Sequence, residues 1–138
     1  MKTLERLIGM AQLNLDQARQ ALMDLEAVRD DLSGRVLMID REIASEMEAA
    51  QRDPMLTQNL GHFIKTARDR QARLRTSIAE LDEQIEAARE KVSEAFRERK
   101  RYEKVLETRQ AEQKRRRDRR EQEHMDEIGL RSARQAVN

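Results

Sequence analysis

Apolar side chains recur at alternating intervals of three and four residues along two long stretches of the chain. This spacing averages 3.5 residues and keeps one stripe of a helix facing a partner helix, as in a left-handed coiled coil. The first stripe comprises Leu4, Ile8, Ala11, Leu15, Ala18, Leu22, Leu25, Leu32, Val36, Ile39 and Ile43. The second comprises Leu60, Ile64, Ala67, Leu74, Ile78, Leu81, Ile85, Ala88, Val92, Ala95, Tyr102 and Leu106.

The only proline of the chain, Pro54, lies between the two stripes. Asp53 is a good N-cap and proline suits the first helical position, so the second helix is predicted to start there. We predict helix one over about 3–51, a hinge at about 52–54 that could extend to residue 61, and helix two over about 54–130. Gly129 would end helix two, leaving a frayed tail over 131–138. The predicted fold is all-α, a single antiparallel coiled-coil hairpin of two long helices with the second helix longer.

The pairing of the two stripes is open between two registers, each described by the sum of facing residue numbers in an antiparallel pair. A sum of 103 pairs Leu25 with Ile78, needs only a tight turn, and puts opposite charges beside the seam. A sum of 110 covers more of the second stripe but sets Glu26 against Asp82. The tight turn and the charges slightly favour 103, whereas complete apolar cover favours 110.

The composition agrees with a long helical hairpin. Charged residues make up 40% of the chain and aromatic residues 2%, which is typical of coiled coils and leaves little material for a globular core. There is no cysteine, so disulfides and thiolate metal sites are excluded, as is common in the cytosol. Charged residues interrupt the N-terminal segment, so it does not resemble a signal peptide.

Positive charge is concentrated near the end of the second helix. Residues 97–120 contain 12 basic and 5 acidic side chains, whereas residues 1–50 contain 6 basic and 10 acidic ones. The densest part is Lys114, Arg115, Arg116, Arg117, Arg119 and Arg120. This segment could bind nucleic acid, remain a solvated face, or dock on an acidic protein. Interleaved acids and the lack of a nearby aromatic ring for base stacking argue against nucleic acid, and we favour an acidic protein partner.

No pattern for catalysis, cofactor binding or metal binding is present. His62 and His124 have no second ligand at metal-site spacing, and we interpret both as surface residues. Adjacent acids such as Asp82 and Glu83 diverge by about 100° around a helix, so they cannot share a substrate. We therefore expect no enzyme, cofactor or metal.

Two polar residues, Arg29 and Gln71, occupy seam positions. Polar seam residues can fix the register of a coiled coil. For Arg29 we favour a simpler interpretation, in which its aliphatic stem lies along the interface and Val28 covers the gap.

Several segments in this order resemble the FliJ family of flagellar type III export proteins. They are Thr3–Leu7, Phe63–Ala67, Phe96, Arg101–Glu107, Arg119–Gln122 and Met125–Ile128. The resemblance implies an antiparallel two-helix coiled coil, similar to the rotor stalk of rotary ATPases. It further implies that the end bearing the termini binds the centre of the hexameric export ATPase. The hinge-side half would contact the cytoplasmic domain of the export gate, and some members also bind export chaperones.

Carried over by position, the gate-facing residues would be Met38, Arg41, Phe63 and Ala67, and we expect Phe63 to be a contact residue and not a core residue. The basic segment would meet the ATPase. The expected function is a non-enzymatic, cytoplasmic stalk at the inner face of the membrane, reached through its partners. The alternatives left open are the equivalent stalk of a virulence secretion system, a generic coiled-coil adaptor, and a nucleic-acid-binding basic helix.

Overall fold

The computed structural model describes residues 1–137 and contains two long helices packed against each other. Helix α1 spans Lys2–Arg52, a short 3₁₀ helix spans Pro54–Gln58, and helix α2 spans Leu60–Val137. No strand occurs among the described residues. The predicted fold class, an all-α hairpin with a longer second helix, is therefore confirmed.

The apolar stripes form the contact between the helices. Every residue of the two predicted stripes is buried or half-buried, and Leu15 is fully buried with 0% of its surface exposed. Near the hinge, Ile39, Ile43 and Ala67 form a buried cluster. A 3.5-residue repeat keeps such side chains on one side of each helix, which explains why the interface can be read from the sequence.

The hinge is longer than the tight turn that we favoured. Asp53 does act as an N-cap, accepting a hydrogen bond from the Met55 backbone N–H at 3.0 Å, but the helix it caps is the 3₁₀ helix. Helix α2 starts at Leu60, where the Phe63 N–H donates to the Asn59 carbonyl at 2.9 Å. The predicted start of helix two at residue 54 is thus corrected to residue 60, and the hinge has the greater length, within the limit of residue 61, that the sequence left open.

The C-terminal end of α2 also differs from the prediction. The helix passes through Gly129 and continues to Val137 instead of ending near residue 130. Among the described residues no glycine has a positive φ, so Gly129 does not adopt the conformation of a C-terminal stop. The predicted frayed tail is therefore helical over 131–137, and Asn138 lies outside the described residues.

The packing divides the helices into two units, which we describe separately. The hinge unit comprises Asn14–Ala95. The terminal unit comprises Met1–Leu13 and the part of α2 that begins at Phe96.

In the hinge unit the register corresponds to a sum near 110. Arg29 pairs with Asp82, a sum of 111, and Arg70 Nη2 lies 3.6 Å from Glu42 Oε2, a sum of 112. The polar contacts made by Gln71 agree with this, because its side-chain amide reaches both the Val36 carbonyl and Asp40, sums of 107 and 111. The slightly favoured sum of 103 is therefore wrong.

The charge argument failed because it left out Arg29. Glu26 and Asp82 do line the same surface groove, as a sum of 110 requires, but Arg29 lines that groove too and pairs with Asp82. The longer hinge removes the remaining objection, because the 3₁₀ segment supplies the residues that the wider register needs.

We expect cysteines introduced at Leu25 and Ile85 to form a disulfide within one chain, because these positions face each other at a sum of 110. The native chain has no cysteine, so the product can be assigned by mass spectrometry without background. Faster oxidation of a Leu25–Ile78 pair than of the Leu25–Ile85 pair would instead restore the sum of 103.

Candidate functional sites

The most ordered polar site in the hinge unit is centred on Gln71, which is 0% exposed. Its Nε2 donates to the Val36 carbonyl at 2.9 Å and to Asp40 Oδ1 at 2.8 Å. Arg68 Nη1 completes the cluster by donating to Gln71 Oε1 at 2.7 Å and to Asp40 Oδ1 at 2.8 Å. Both ends of the buried amide are thus paired, which avoids the cost of an unsatisfied polar group.

The same cluster perturbs a carboxylate. Hydrogen bonds from Gln71, followed by those from Arg68, hold the pKa of Asp40 below its ordinary value because they favour the charged form. Asp40 is thereby kept as an acceptor that connects two residues of α2 to α1. The sequence marked Gln71 as a polar seam residue, but it did not identify Asp40 or Arg68 as its partners.

Arg29 is not the simple seam filler that we expected. It forms an ion pair with Asp82 across the helices, and hydrogen bonding to this carboxylate raises the pKa of Arg29. Val28 does not cover a gap in the seam, because it is 49% exposed. The side chains of Arg29 and Asp82 are both partly solvated, so their pair contributes little to stability.

Three of the four predicted gate-facing residues come together beside the hinge. They share one shallow groove between α1 and α2, lined by Met38, Arg41, Glu42, Ser45, Glu46 and Phe63. Met38 is 57% exposed and offers an apolar surface at its centre. The groove combines one cation, two acids and two apolar side chains, a mixture suited to a protein partner.

Ala67 and Phe63 require corrections. Ala67 is 1% exposed and belongs to the buried cluster with Ile39 and Ile43, so it cannot contact a partner directly. Phe63 is half-buried and packs against that same cluster while also lining the groove. It is therefore partly a core residue, contrary to our expectation of a contact residue alone.

The basic segment from Lys114 to Arg120 lies on a part of α2 that has no partner helix. In the terminal unit Leu4 is buried and Leu106 is half-buried, and every described residue from Glu107 to Val137 is exposed. None of the cations in this segment forms a hydrogen bond or ion pair with another described residue. They are Lys114, Arg115, Arg116, Arg117, Arg119 and Arg120. Their charges are thus free to meet an external surface.

Arg99 connects α2 to α1 shortly before the unpaired part of α2 begins. Its Nη1 donates to Gln12 Oε1 at 2.6 Å, and its guanidinium lies 5.3 Å from the centroid of the Phe96 ring. Its buried Nε is 3.3 Å from Glu103 Oε1 in poor hydrogen-bond geometry, so that contact is mainly electrostatic. The sequence did not signal the contact with Gln12, because the two residues lie 87 positions apart along the chain.

No group of three metal-ligating side chains occurs among residues 1–137, and His62 and His124 are both exposed. None of the helices, as far as they are described, is both long and apolar enough to cross a membrane.

The fold and these sites define a helical coiled-coil hairpin with one exposed basic helix end and one groove beside its hinge. The family model described as the flagellar FliJ protein matches residues 1–138, the whole chain. The chain therefore belongs to the FliJ family and is a component of flagellar type III export. Comparisons with curated proteins and with solved structures found no match.

We expect Phe63→Ala to lower the free energy of unfolding by about 1–2 kcal/mol, less than the ~3–5 kcal/mol typical of a fully buried ring. The reason is that only part of the Phe63 ring packs against the buried cluster. Chemical denaturation measures the change, with Met55→Ala as the control because Met55 is 83% exposed. Equal stabilities of the two variants would show that Phe63 does not support the core.

Proposed function

We propose that this protein is a non-enzymatic stalk of the flagellar export apparatus that links the hexameric export ATPase to the export gate. It acts in the cytoplasm, at the inner face of the membrane, and associates with the membrane only through its partners. Export chaperones are further partners, nucleic acid is not, and no cofactor is needed. The unpaired basic segment on α2 is the observation that carries the proposal.

The basic segment supports an acidic partner on electrostatic grounds. Six exposed cations within seven residues repel each other, with only Asp118 between them, and none of the six forms an ion pair with another described residue. An acidic ring of carboxylates would relieve this repulsion, and it would stabilise a helix that has no tertiary contacts of its own. The membership in the FliJ family makes the export ATPase the natural source of such a ring.

The groove beside the hinge supports the second contact. Met38 and Phe63 provide apolar surface, and Arg41 provides a charge at its edge. Such mixed surfaces are common in interfaces that form and dissociate. The gate domain is proposed to bind here, with Phe63 also holding the groove in shape from its position against the core.

The mechanism that follows is conformational and not chemical. A stalk changes the activity of an ATPase ring only by binding some conformations of its subunits more tightly than others. It promotes ring assembly only when it prefers the assembled ring over the free subunits. The basic segment provides the contacts for this preference, and the hinge groove provides the connection to the gate.

Charge reversal of Arg116, Arg117 and Arg120 to Glu should abolish retention of the export ATPase and stimulation of its activity. The melting temperature should stay nearly unchanged, because all three side chains are exposed and unpaired. Wild-type binding should also weaken with added salt, since exposed charges are screened beyond about 8–10 Å at physiological ionic strength.

The matched control reverses Lys65, Arg73 and Lys91, which are exposed residues of the hinge unit and carry the same total charge. This control should keep ATPase binding. Normal binding and stimulation by the triple variant of the basic segment would rule out an insertion of this segment into the ring.

For the gate contact, Met38→Glu should weaken binding to the gate cytoplasmic domain by about tenfold or more, because it places a charge at an apolar contact. Its control is Met23→Glu on the same helix, where Met23 is 60% exposed and lies outside the groove. Binding can be measured by titration with the purified gate domain. Equal affinities of both variants would place the gate contact elsewhere on the protein.

A further inference from the structure

We propose that the hinge unit has a second, less populated helix register, displaced by one heptad to a sum of 103, and that the Gln71 cluster sets the ratio between the two registers. The second register would shift α2 along α1 by seven residues, about 10 Å. This equilibrium between two registers is a conformational property of the hinge unit. It is separate from the proposed binding functions and does not depend on them.

The seam permits this shift because both stripes repeat every seven residues. At a sum of 103 Leu25 leaves Ile85 and meets Ile78, and Ile39 leaves Gln71 and meets Ile64. Apolar residues thus remain opposite apolar residues in both registers over most of the hinge unit. In such repeats a one-heptad shift keeps the same face inward, so specific polar contacts must choose the register.

The native register also contains unfavourable charges. One groove between the helices brings together four acids and only two cations, namely Glu26, Asp30, Asp82, Glu86, Arg29 and Arg89. In the second register Glu26 would move beside Arg75, and Asp82 would move beside Arg19. Glu26 and Asp82 would each gain an opposite charge, while the partly solvated Arg29–Asp82 pair would be lost and Arg29 would face Arg75.

Gln71 is the main feature that opposes the shift. In the native register its buried amide bonds to Val36 and Asp40, and both contacts would be lost when α2 moves by about 10 Å. In the second register Gln71 would face Leu32, with the half-buried Ser33 as the nearest replacement partner. The native register is therefore preferred, but the alternative does not leave the amide without any polar neighbour.

The hinge already has the features that the second register needs. At a sum of 103 residues 54–59 would become the first turns of α2, and Asp53 would cap them directly. These residues are now a 3₁₀ helix with Asp53 as its N-cap and Pro54 at its start. The exposed Met55 and Leu56 show that this segment is not held by burial in the core.

Disulfide trapping tests the proposal, because a state present at about 1% can be captured when it forms and reopens quickly. Three cysteine pairs share Leu25: Leu25–Ile85 for the native register, Leu25–Ile78 for the second, and Leu25–Val92 for a shift in the opposite direction. We expect oxidation within one chain to be fastest for the first pair. The oxidation rate of the second pair should exceed that of the third by about tenfold or more. The third pair reports only general opening of the helices.

Two variants then identify the controlling residues. Gln71→Leu should speed trapping of the Leu25–Ile78 pair by about fivefold or more, because it removes the contacts specific to the native register. Arg19→Gln should slow the same pair, because it removes the opposite charge that Asp82 would gain in the second register, whereas Arg19 is an exposed residue in the native one. Both variants should leave the Leu25–Ile85 rate within about twofold of its original value, which also verifies that the hairpin is folded.

The proposal would be overturned if the Leu25–Ile78 pair oxidised no faster than the Leu25–Val92 pair, both in the otherwise native sequence and in the Gln71→Leu variant. Equal acceleration of all three pairs by Gln71→Leu would also overturn it, because the residue would then stabilise the hairpin without selecting a register.

Discussion

The contact between two heptad stripes is the interaction on which the rest of this structure depends. Over residues 1–137 neither helix has another hydrophobic partner, and helices in proteins gain most of their stability from packing one apolar face. The stripes also explain why 40% of the residues can be charged, since a narrow seam leaves most of each helix surface in water. Beyond Leu106, the last residue of the second stripe, α2 continues as an exposed helix, and that part of the chain carries the basic segment.

A repeating seam holds two helices together without defining how they are aligned. Polar contacts supply the missing information, and the cluster of Gln71, Asp40 and Arg68 does so most clearly because it is buried at its centre and fully hydrogen-bonded. A misaligned pair would break these bonds, whereas an apolar residue at the same position would accept several alignments. This cluster has the role that a polar residue at a coiled-coil core position commonly has.

The two proposed binding regions differ in how they are built. The groove beside the hinge is formed by side chains of both helices, so its shape depends on the register and on Phe63 packing against the core. The basic segment belongs to one helix, and its exposed residues depend on local helix formation. A substitution in the seam should therefore disturb the groove before it disturbs the basic segment.

The sequence by itself determined the helices, the residues of the seam, the family and the place of the basic segment, because a 3.5-residue repeat and a charge run are local patterns. It did not determine the register, since stripes that repeat every seven residues fit each other at several alignments. The double role of Phe63 and the partners of Gln71 followed only from that register, whereas the burial of Ala67 was already implied by its place in the second stripe. The structure also decided the extent of the hinge, because Asp53 and Pro54 can begin a 3₁₀ helix as well as an α-helix. Ala50 and Leu60 on its two sides are buried and half-buried, whereas the 3₁₀ helix between them has no buried residue.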